Sequence, residues 1–500
     1  MPAAIRTPLA CLAFGLCLTA GAARAGDVHR YRVELDADLS RLEVQARFGA
    51  PVAGVTARSG DAGELLAEAW ECGARTPIRM RNQRMLLPVG GVRCMNYTVD
   101  LAAAARQHDA NRMLAPGNVV VSPSLWLWQP PLDDDDVIDV QFVLPEGVQV
   151  SVPWQPVAGE PRHYLLRSSP ESADAPAVFG DFARREVAVP GAVLEVAVLR
   201  SREPARRGVD VSQIVDWVQA AATDVTLAYG RFPNPSPQVV VIPVEGRRGG
   251  SAVPYGEVIR DGGESVELYV DESRSLDALL GDWTATHEFS HLMLPYLVRE
   301  HRWVSEGFAQ YYQNVLLARS GAYDAERAWQ ELYAGFERGR LSRPELSPND
   351  AAERGVRTAR MKIYWSGAAL ALMADVKLRE ASGGAQTLDT VLERFQACCL
   401  PSRRAWTAPE FFARLDALAG QSVFLPLYRR YADAAGFPDP RPLLARLGVD
   451  ADGKTVRLRR DGALAPVRFA ITAPDPAAAR AREQLAASHA SAGPHAPGSR

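Results

Sequence analysis

Two histidines stand four residues apart in the segment HEFSH, residues 287–291, and Glu288 directly follows the first of them. On a helix, positions four apart lie on the same face, so both imidazoles can reach one metal ion while the glutamate projects toward a bound water. The alternative is a pair of histidines on the face of an ordinary packed helix. The rarity of this five-residue pattern makes that alternative the weaker one, and we expect His287 and His291 to be metal ligands.

A catalytic zinc ion takes three protein ligands and keeps one position open for water, so a third ligand is needed. Glu300, His301 and Glu306 are the nearby candidates. Glu306 lies in RWVSEGFAQYY, where an amphipathic helix can run back antiparallel after a short loop and bring an acid to the histidines. Glu300 and His301 fall in that loop between arginines, where a solvated charge is the simpler role. We therefore predict one Zn²⁺ ion held by His287, His291 and Glu306.

The elements around these residues change character along the chain. Up to about residue 200, short stretches with alternating apolar residues, such as YRVELDADLSRLEVQARF, predict an antiparallel β-sandwich-like domain. Beyond residue 210 the apolar period becomes about 3.6, which is typical of helices. Helices are predicted at residues 278–294, 303–319, 361–380, 387–397, 408–418 and 423–434.

The expected domain organisation follows from this change. The chain is expected to consist of a signal peptide (1–25), a β-rich domain (26–200), a catalytic domain with C-terminal helices (201–445), a short β segment (446–475) and a disordered tail (476–500). The β segment would comprise KTVRLRR and APVRFAITA. The tail is rich in Ala, Ser, Pro and Gly, a composition that is common in disordered segments.

Charge and composition restrict the classes of partner. The 56 basic and 59 acidic residues of this 500-residue chain leave a formal charge of −3. Such a balance gives no general attraction for polyanions, so nucleic acid is not an expected partner. The sequence does not predict an oligomeric state.

The N-terminal segment has the order of features of a cleavable signal peptide. Arg6 is followed by an apolar run from Leu9 to Ala20 and then by Ala23-Arg24-Ala25, the small-x-small form of a cleavage site. The run is shorter than the about 20 residues that a membrane span needs. We expect cleavage before Gly26 and a periplasmic or secreted protein without a transmembrane segment in its mature form.

Four cysteines would remain after cleavage: Cys72, Cys94, Cys398 and Cys399. In an oxidising compartment Cys72 and Cys94 could close a loop of the β-rich domain, but spacing alone does not establish the pairing. A cysteine zinc site is disfavoured because no Cys-x-x-Cys pair is present.

The segment HEFSH followed by WVSEGFAQYY resembles the gluzincin metallopeptidases. The stretches QNVLLARSGAYDAERAW and YWSGAALALMADVKLREASGG are similar to the glycyl aminopeptidase family and, more distantly, to the membrane alanyl aminopeptidase family. The resemblance covers roughly residues 205–450. It implies an α+β multidomain protein in which the β-sandwich-like domain precedes a thermolysin-like, mainly helical catalytic domain.

The same resemblance implies a zinc-dependent peptidase that acts on peptides or proteins, most simply as an aminopeptidase. Glu288 would be the general base. Tyr364, which stands three residues before Gly367 as in the family, would donate a hydrogen bond to the oxyanion. Without the resemblance, Tyr364 would be an aromatic residue of the core.

Three departures from the family pattern bear on function. Residues 292–305 separate His291 from Glu306, a shorter interval than in typical gluzincins, and Ser366 replaces a lysine. The usual element that binds the substrate amine is replaced by SAVPYGEVIRDGGESVELYV, in which Glu257 or Glu264 could hold the amine or be a solvated loop acid. An endopeptidase of the same fold and a noncatalytic peptide-binding or scaffold homologue therefore remain alternatives.

Overall fold

Strands dominate the chain as far as residue 198, and helices dominate it from residue 276 onward. The computed structural model describes residues 26–73, 75–106, 117–167, 175–201, 208–246, 249–354, 357–452 and 455–491. The predicted signal peptide, residues 1–25, lies outside the described residues. Within the described residues, no helix combines the length and the apolar character needed to cross a membrane.

The strands have the alternating burial that their sequences predict, as in the first one, where every second residue is buried. In chain order they are β1 Val28–Leu35, β2 Arg41–Val52, β3 Gly54–Thr56, β4 Leu66–Glu71, β5 Arg79–Arg81, β6 Arg84–Leu86, β7 Val92–Asp100, β8 Asn118–Val121, β9 Val137–Val143, β10 Gln149–Ser151, β11 Gln155–Pro156, β12 His163–Arg167, β13 Ala177–Gly180, β14 Ala183–Val189, β15 Ala192–Val198, β16 Gln238–Val244, β17 Tyr255–Arg260, β18 Glu264–Asp271, β19 Val449–Asp452 and β20 Thr455–Leu458.

The N-terminal domain contains a seven-stranded sheet of order β11-β12-β9-β1-β2-β7-β4 and a three-stranded sheet of order β10-β13-β8. Apolar residues of the two sheets share one core, in which Phe142 of the large sheet contacts Phe179 of the small one with ring centroids 5.7 Å apart. This arrangement agrees with a sandwich-like domain. It is not wholly antiparallel, however, because β1 and β9 pair in parallel.

A further sheet has the order β14-β15-β16-β18-β17. β15, β16 and β18 run parallel, and β17 is antiparallel at the edge. β14 and β15 precede residue 200, yet β15 pairs with β16, which follows it, so the predicted boundary at this residue cuts through the sheet. The change of period that suggested the boundary marks the first long helix and not the first strand of the C-terminal part.

The helices lie in two cores: those from residue 211 onward pack on this sheet and on each other in one large core, and the two short helices before it belong to the core of the N-terminal domain. They are α1 Ala62–Leu65, α2 Leu101–Arg106, α3 Val211–Thr226, α4 Leu276–Leu280, α5 Thr284–His291, α6 Arg302–Arg319, α7 Ala325–Leu341, α8 Pro348–Arg354, α9 Arg360–Ser382, α10 Leu388–Cys399, α11 Ala408–Ala419, α12 Phe424–Tyr431, α13 Arg441–Arg446, α14 Ala465–Thr472 and α15 Pro476–Ser491. Side chains of typical capping residues satisfy free backbone groups at helix ends. Asp210 and Gln213, for example, form a capping box at the start of α3.

The C-terminal segment differs from the expectation in two places. KTVRLRR supplies β20, but APVRFAITA forms helix α14, which has a proline in its first turn and buries Ile471. Residues 476–491 of the predicted tail form helix α15, while residues 492–500 lie outside the described part. The alanine-rich sequence favours a helix, and Arg482 ties it to the buried Asp224 at 2.8 Å.

Each of the four cysteines in the described residues lies in a disulfide bond. Cys72 pairs with Cys94, which joins the turn after β4 to β7. Cys398 pairs with its neighbour Cys399 at the end of α10.

Candidate metal centre

Helix α5 carries HEFSH and is buried along its whole length. The carboxylate of Asp282 accepts a hydrogen bond from the backbone amide of Thr284 at 2.9 Å, which satisfies a free donor at the start of the helix. His287 and His291 lie one turn apart on the same face, and their ring centroids are 4.9 Å apart. The local sequence thus presents both imidazoles in one direction.

Helix α6 brings Glu306 to the two histidines. One carboxylate oxygen, Oε2, lies 3.5 Å from Nε2 of His287 and 3.5 Å from Nε2 of His291. One ligand atom from each residue lies within 4.8 Å of the others, which makes this the group suited to a metal ion among the described residues. The interval of residues 292–305 is therefore long enough for α6 to return, and the predicted group is brought together.

The two other candidates for third ligand lie elsewhere. Nδ1 of His301 accepts a hydrogen bond from the backbone amide of Ala408 at 3.3 Å, and Glu300 is exposed in a short 3₁₀ turn. Neither belongs to the group formed by His287, His291 and Glu306.

The turn after α5 is held by Arg260 of β17. Its guanidinium donates to the backbone carbonyls of His291 at 3.1 Å and Leu294 at 3.2 Å, so it satisfies carbonyls at the end of the helix. The role of Arg260 could not be predicted from the sequence, because no local pattern links it to a helix 31 residues farther along the chain.

The ring nitrogens that face away from Glu306 have their own partners. Nδ1 of His287 lies 3.2 Å from the side-chain oxygen of Gln313, and Nδ1 of His291 lies 3.0 Å from the hydroxyl of Ser305. A Gln oxygen can only accept, so Nδ1 of His287 carries the proton and Nε2 keeps its lone pair free. A His₂Glu donor set with such partners fits a catalytic zinc ion.

The charge of Glu306 suits the same role. Burial alone would raise the pKa of Glu306, but hydrogen bonds with His287 and His291 and the charges of both rings hold the pKa well below its usual range. The carboxylate therefore stays ionised, as a metal ligand must.

Glu288 lies in the same cavity and is only 7% exposed. Burial, with repulsion from Glu306 and Glu257, raises the pKa of Glu288 to about 8, although His287 and Arg360 act against this rise. Gly256 of β17 packs directly on it, and a Cβ atom at Gly256 would lie 2.7 Å from Cγ of Glu288. The backbone of β17 thus passes next to the glutamate, a close approach that only the structure reveals.

Tyr364 reaches the site from helix α9. Its ring stacks on that of His287, with centroids 5.8 Å apart and an angle of 24° between the planes. Burial, together with the negative charge of Glu306, raises the pKa of Tyr364 well above its usual value, so the hydroxyl remains a hydrogen-bond donor. The resemblance placed Tyr364 in the site, and the structure brings it there.

Two glycines allow α6 and α9 to approach closely enough for this. A Cβ atom at Gly307 would lie 2.2 Å from Cα of Gly367, and one at Gly367 would lie 2.2 Å from the carbonyl oxygen of Trp303. The helices therefore touch through their backbones. Gly307 directly follows Glu306 in sequence, so the contact lies beside the metal group.

The two acids proposed for the substrate amine lie in different places. Glu257 lines the cavity of about 390 Å³ that also contains the metal group, Glu288 and Tyr364. Glu264 does not line it, because its carboxylate is bound by Arg260 at 3.0 Å and by the side-chain amide of Asn234. Glu264 thus holds Arg260 in place and is not available to a substrate, which corrects that part of the expectation.

Comparison with known proteins agrees with this geometry. A family model described as M61 glycyl aminopeptidase matches residues 295–364, a segment that includes Glu306 and Tyr364 and begins just after HEFSH. No curated protein sequence matches the chain significantly.

Among solved structures, the chain resembles an aminopeptidase N family protein from Idiomarina loihiensis over 84% of this chain and 78% of the other, with 15% identity and a TM-score of 0.61. An M1 zinc metallopeptidase from Deinococcus radiodurans also matches, over 83% of this chain and 94% of the other, with 14% identity and a TM-score of 0.48. The likeness to the first of these concerns the fold.

Proposed function

We propose that this chain, a zinc metallopeptidase resembling the gluzincin aminopeptidases, removes residues from the free amino end of peptides. The main support is that one cavity is lined both by the metal group and by Glu257, an acid that no basic side chain of the described residues pairs with. A carboxylate in that position can accept a charge-assisted hydrogen bond from a substrate α-ammonium group.

The proposed chemistry assigns one role to each residue. His287, His291 and Glu306 hold zinc, which when bound supplies Lewis-acid polarisation of the scissile carbonyl and of the attacking water. Glu288 takes a proton from the water while the water oxygen attacks the carbonyl carbon. Glu288 then gives this proton to the leaving amine as the C–N bond breaks. The Tyr364 hydroxyl donates to the oxygen that becomes negative in the transition state.

Strand β17 is suited to orient the peptide. It is the edge strand of its sheet, so one side of its backbone is free to pair with an extended substrate. Gly256 keeps this backbone close to Glu288, and Glu257, the next residue, lines the same cavity. An edge strand beside the helix that carries both histidines, as β17 lies beside α5, supports the description of the catalytic domain as thermolysin-like.

A panel of peptides tests this function. Peptides with free amino ends should be cleaved one residue at a time, cleavage should stop with a zinc chelator, and N-acetylated versions should resist. Glu257→Gln should weaken cleavage of free peptides, while Glu186→Gln, at an exposed position on β14, should not. Equal cleavage of acetylated peptides would instead indicate an endopeptidase, and absence of both cleavage and bound zinc would indicate a noncatalytic homologue.

We also propose that the protein is exported and works in the periplasm or outside the cell. The Cys72–Cys94 disulfide supports an oxidising compartment. Sequencing of the amino end of the protein expressed from the whole gene should give Gly26 as the first residue. An uncleaved amino end would contradict export through the predicted signal peptide.

A further inference from the structure

A second chamber opens beside the catalytic cavity. It has a volume of about 430 Å³, within the range of small-ligand sites. The two spaces share Ser251, Trp283, Arg360 and Tyr364 in their walls. The two spaces therefore adjoin each other beside the metal group, and we call the second one the arginine chamber.

Three arginines line the arginine chamber, and each guanidinium lies over an aromatic ring. Arg327 lies 3.8 Å from the ring centroid of Tyr323, and Arg338 lies 5.3 Å from that of Trp365. Arg360 lies 5.4 Å from the ring of Tyr364. Stacking fixes the plane of a guanidinium while leaving its N–H groups free to bind a carboxylate in a bidentate manner.

These arginines have no acidic partner within 4.0 Å in the part of the chain that the structure describes. Two acids also line the chamber, Asp282 and Glu331. Asp282 is occupied by the Ser251 hydroxyl and by backbone amides, among them that of Val253 at 3.2 Å. Glu331 stands on α7 with Arg327 and Arg338 but forms no ion pair with either. Three cations against two acids leave an excess of positive charge.

One of the residues that line the chamber also has an unused acceptor. Asn314 is fully buried and lines the chamber, and its side-chain oxygen has no hydrogen-bond partner among the described residues. Its side-chain nitrogen donates to the carbonyl of Gln310 at 2.9 Å, which fixes the amide. Because an unpartnered buried acceptor is costly, this oxygen is suited to accept the N–H of a bound peptide.

We propose that the arginine chamber binds the C-terminal carboxylate of the substrate, so that the enzyme prefers short peptides with a free carboxyl end. This inference rests on the proposed aminopeptidase function. Glu257 lines the catalytic cavity but not the chamber, so a substrate with its amine at Glu257 extends its other end toward the arginines. The chamber can hold only a short segment, and its positive charge matches a terminal carboxylate.

Paired substrates and paired variants test the proposal. A tripeptide with a free carboxyl end and its C-terminal amide are compared by kcat/KM, with the acid expected to be about tenfold better or more in the unmodified enzyme. Arg327→Gln combined with Arg338→Gln should reduce this preference to near one by lowering the value for the acid alone. Arg340→Gln is the matched control, since Arg340 lies on the same helix but pairs with Glu337 at 2.6 Å.

Binding to the Glu288→Gln variant, measured by calorimetry with the same two tripeptides, separates this inference from the proposed function. Tighter binding of the acid than of the amide, lost in the double arginine variant, supports the chamber even if no peptide is cleaved. Equal kcat/KM and equal binding of acid and amide would overturn it, as would an arginine variant that weakens both peptides alike. Cleavage of acetylated peptides would overturn the aminopeptidase function and leave the acid-to-amide comparison interpretable.

Discussion

Gln313 and Ser305 set the orientation of the metal-binding rings without belonging to the ligand group. Each engages the Nδ1 atom of a histidine whose Nε2 atom faces Glu306. Gln310 in turn donates to the oxygen of Gln313 at 3.0 Å, so this oxygen is held from two sides. At the residue scale, we therefore expect affinity for zinc and turnover to depend on different side chains and to be lost separately.

Replacement of Glu288 by Gln should abolish most activity but leave zinc bound. The base would be lost while His287, His291 and Glu306 stay in place, and general base catalysis contributes about 10²- to 10⁴-fold. Peptide hydrolysis rates and metal analysis of the purified variant measure the two effects. Loss of zinc from Glu288→Gln would mean that Glu288 is itself a ligand.

Gln313→Leu is the control with the opposite expected result, because zinc affinity should fall while the general base stays in place. It removes the acceptor at Nδ1 of His287, and loss of such a partner weakens metal affinity about 10- to 100-fold. Competition with a chelator should reveal this, and excess zinc should restore most of the turnover. The two variants together distinguish the base from the support of a ligand.

At the scale of elements, the site depends on the crossing of α6 and α9. Glu306 lies on one helix and Tyr364 on the other, and the glycines Gly307 and Gly367 permit contact between the backbones. Any side chain at the crossing would move Tyr364 relative to the metal group.

Gly367→Ala should destabilise the protein and lower activity together. The added methyl group meets the carbonyl oxygen of Trp303, and overpacking of this kind costs about 1–3 kcal/mol. Urea unfolding and peptide hydrolysis test the expectation. Ser366→Ala is the neighbouring control, because its buried hydroxyl has no hydrogen-bond partner among the described residues and its removal should be neutral or slightly stabilising. Unchanged stability in Gly367→Ala would show that the helices can separate without cost.

The sequence predicted the elements more fully than their contacts. The periodicity located α6, α9 and the later helices, and the local pattern HEFSH located two ligands, because both signals lie within one or two turns. Glu306 followed from the short loop between two helices. The roles of Arg260 and Gln313 could not be predicted, because these residues are distant from helix α5 in sequence and contact it only in the folded protein.

Glu257 and Glu264 illustrate the same limit within a single hairpin. In the sequence, both acids precede helix α5, and no local feature distinguishes one from the other as the residue that binds the substrate amine. They lie on neighbouring strands, and only the pairing of Arg260 with Glu264 shows that Glu264 is occupied. Tyr364 came from resemblance alone, since an aromatic residue at a helix start has no distinguishing local signal.

At the scale of the whole molecule, helix α15 is tied back to the sheet and helices that hold the site. Arg482 pairs with the buried Asp224 of α3 and donates to the backbone carbonyl of Leu280. Asp224 is also 3.5 Å from the hydroxyl of Thr286, the residue before the first zinc-binding histidine. Helix α15, which lies in the segment predicted to be disordered, therefore supports helix α5.

Arg482→Met should lower the free energy of unfolding by about 3–5 kcal/mol, because it leaves the Asp224 carboxylate buried without its counter-ion. Thermal and urea unfolding measure the loss. Arg480→Met, at an exposed position on the same helix, should have little effect. Equal stability of the two variants would indicate that α15 does not support the catalytic domain.

The glycine contact between α6 and α9 also affects how the substrate preference of this enzyme could change in evolution. Backbone atoms, not side chains, set the distance between the helices that carry Glu306 and Tyr364. Substitutions in the chamber walls, such as at Arg327 or Arg338, can accumulate without shifting the reacting groups. Mutational libraries that keep both glycines and vary Arg327 and Arg338 should therefore yield altered substrate preference far more often than inactive protein.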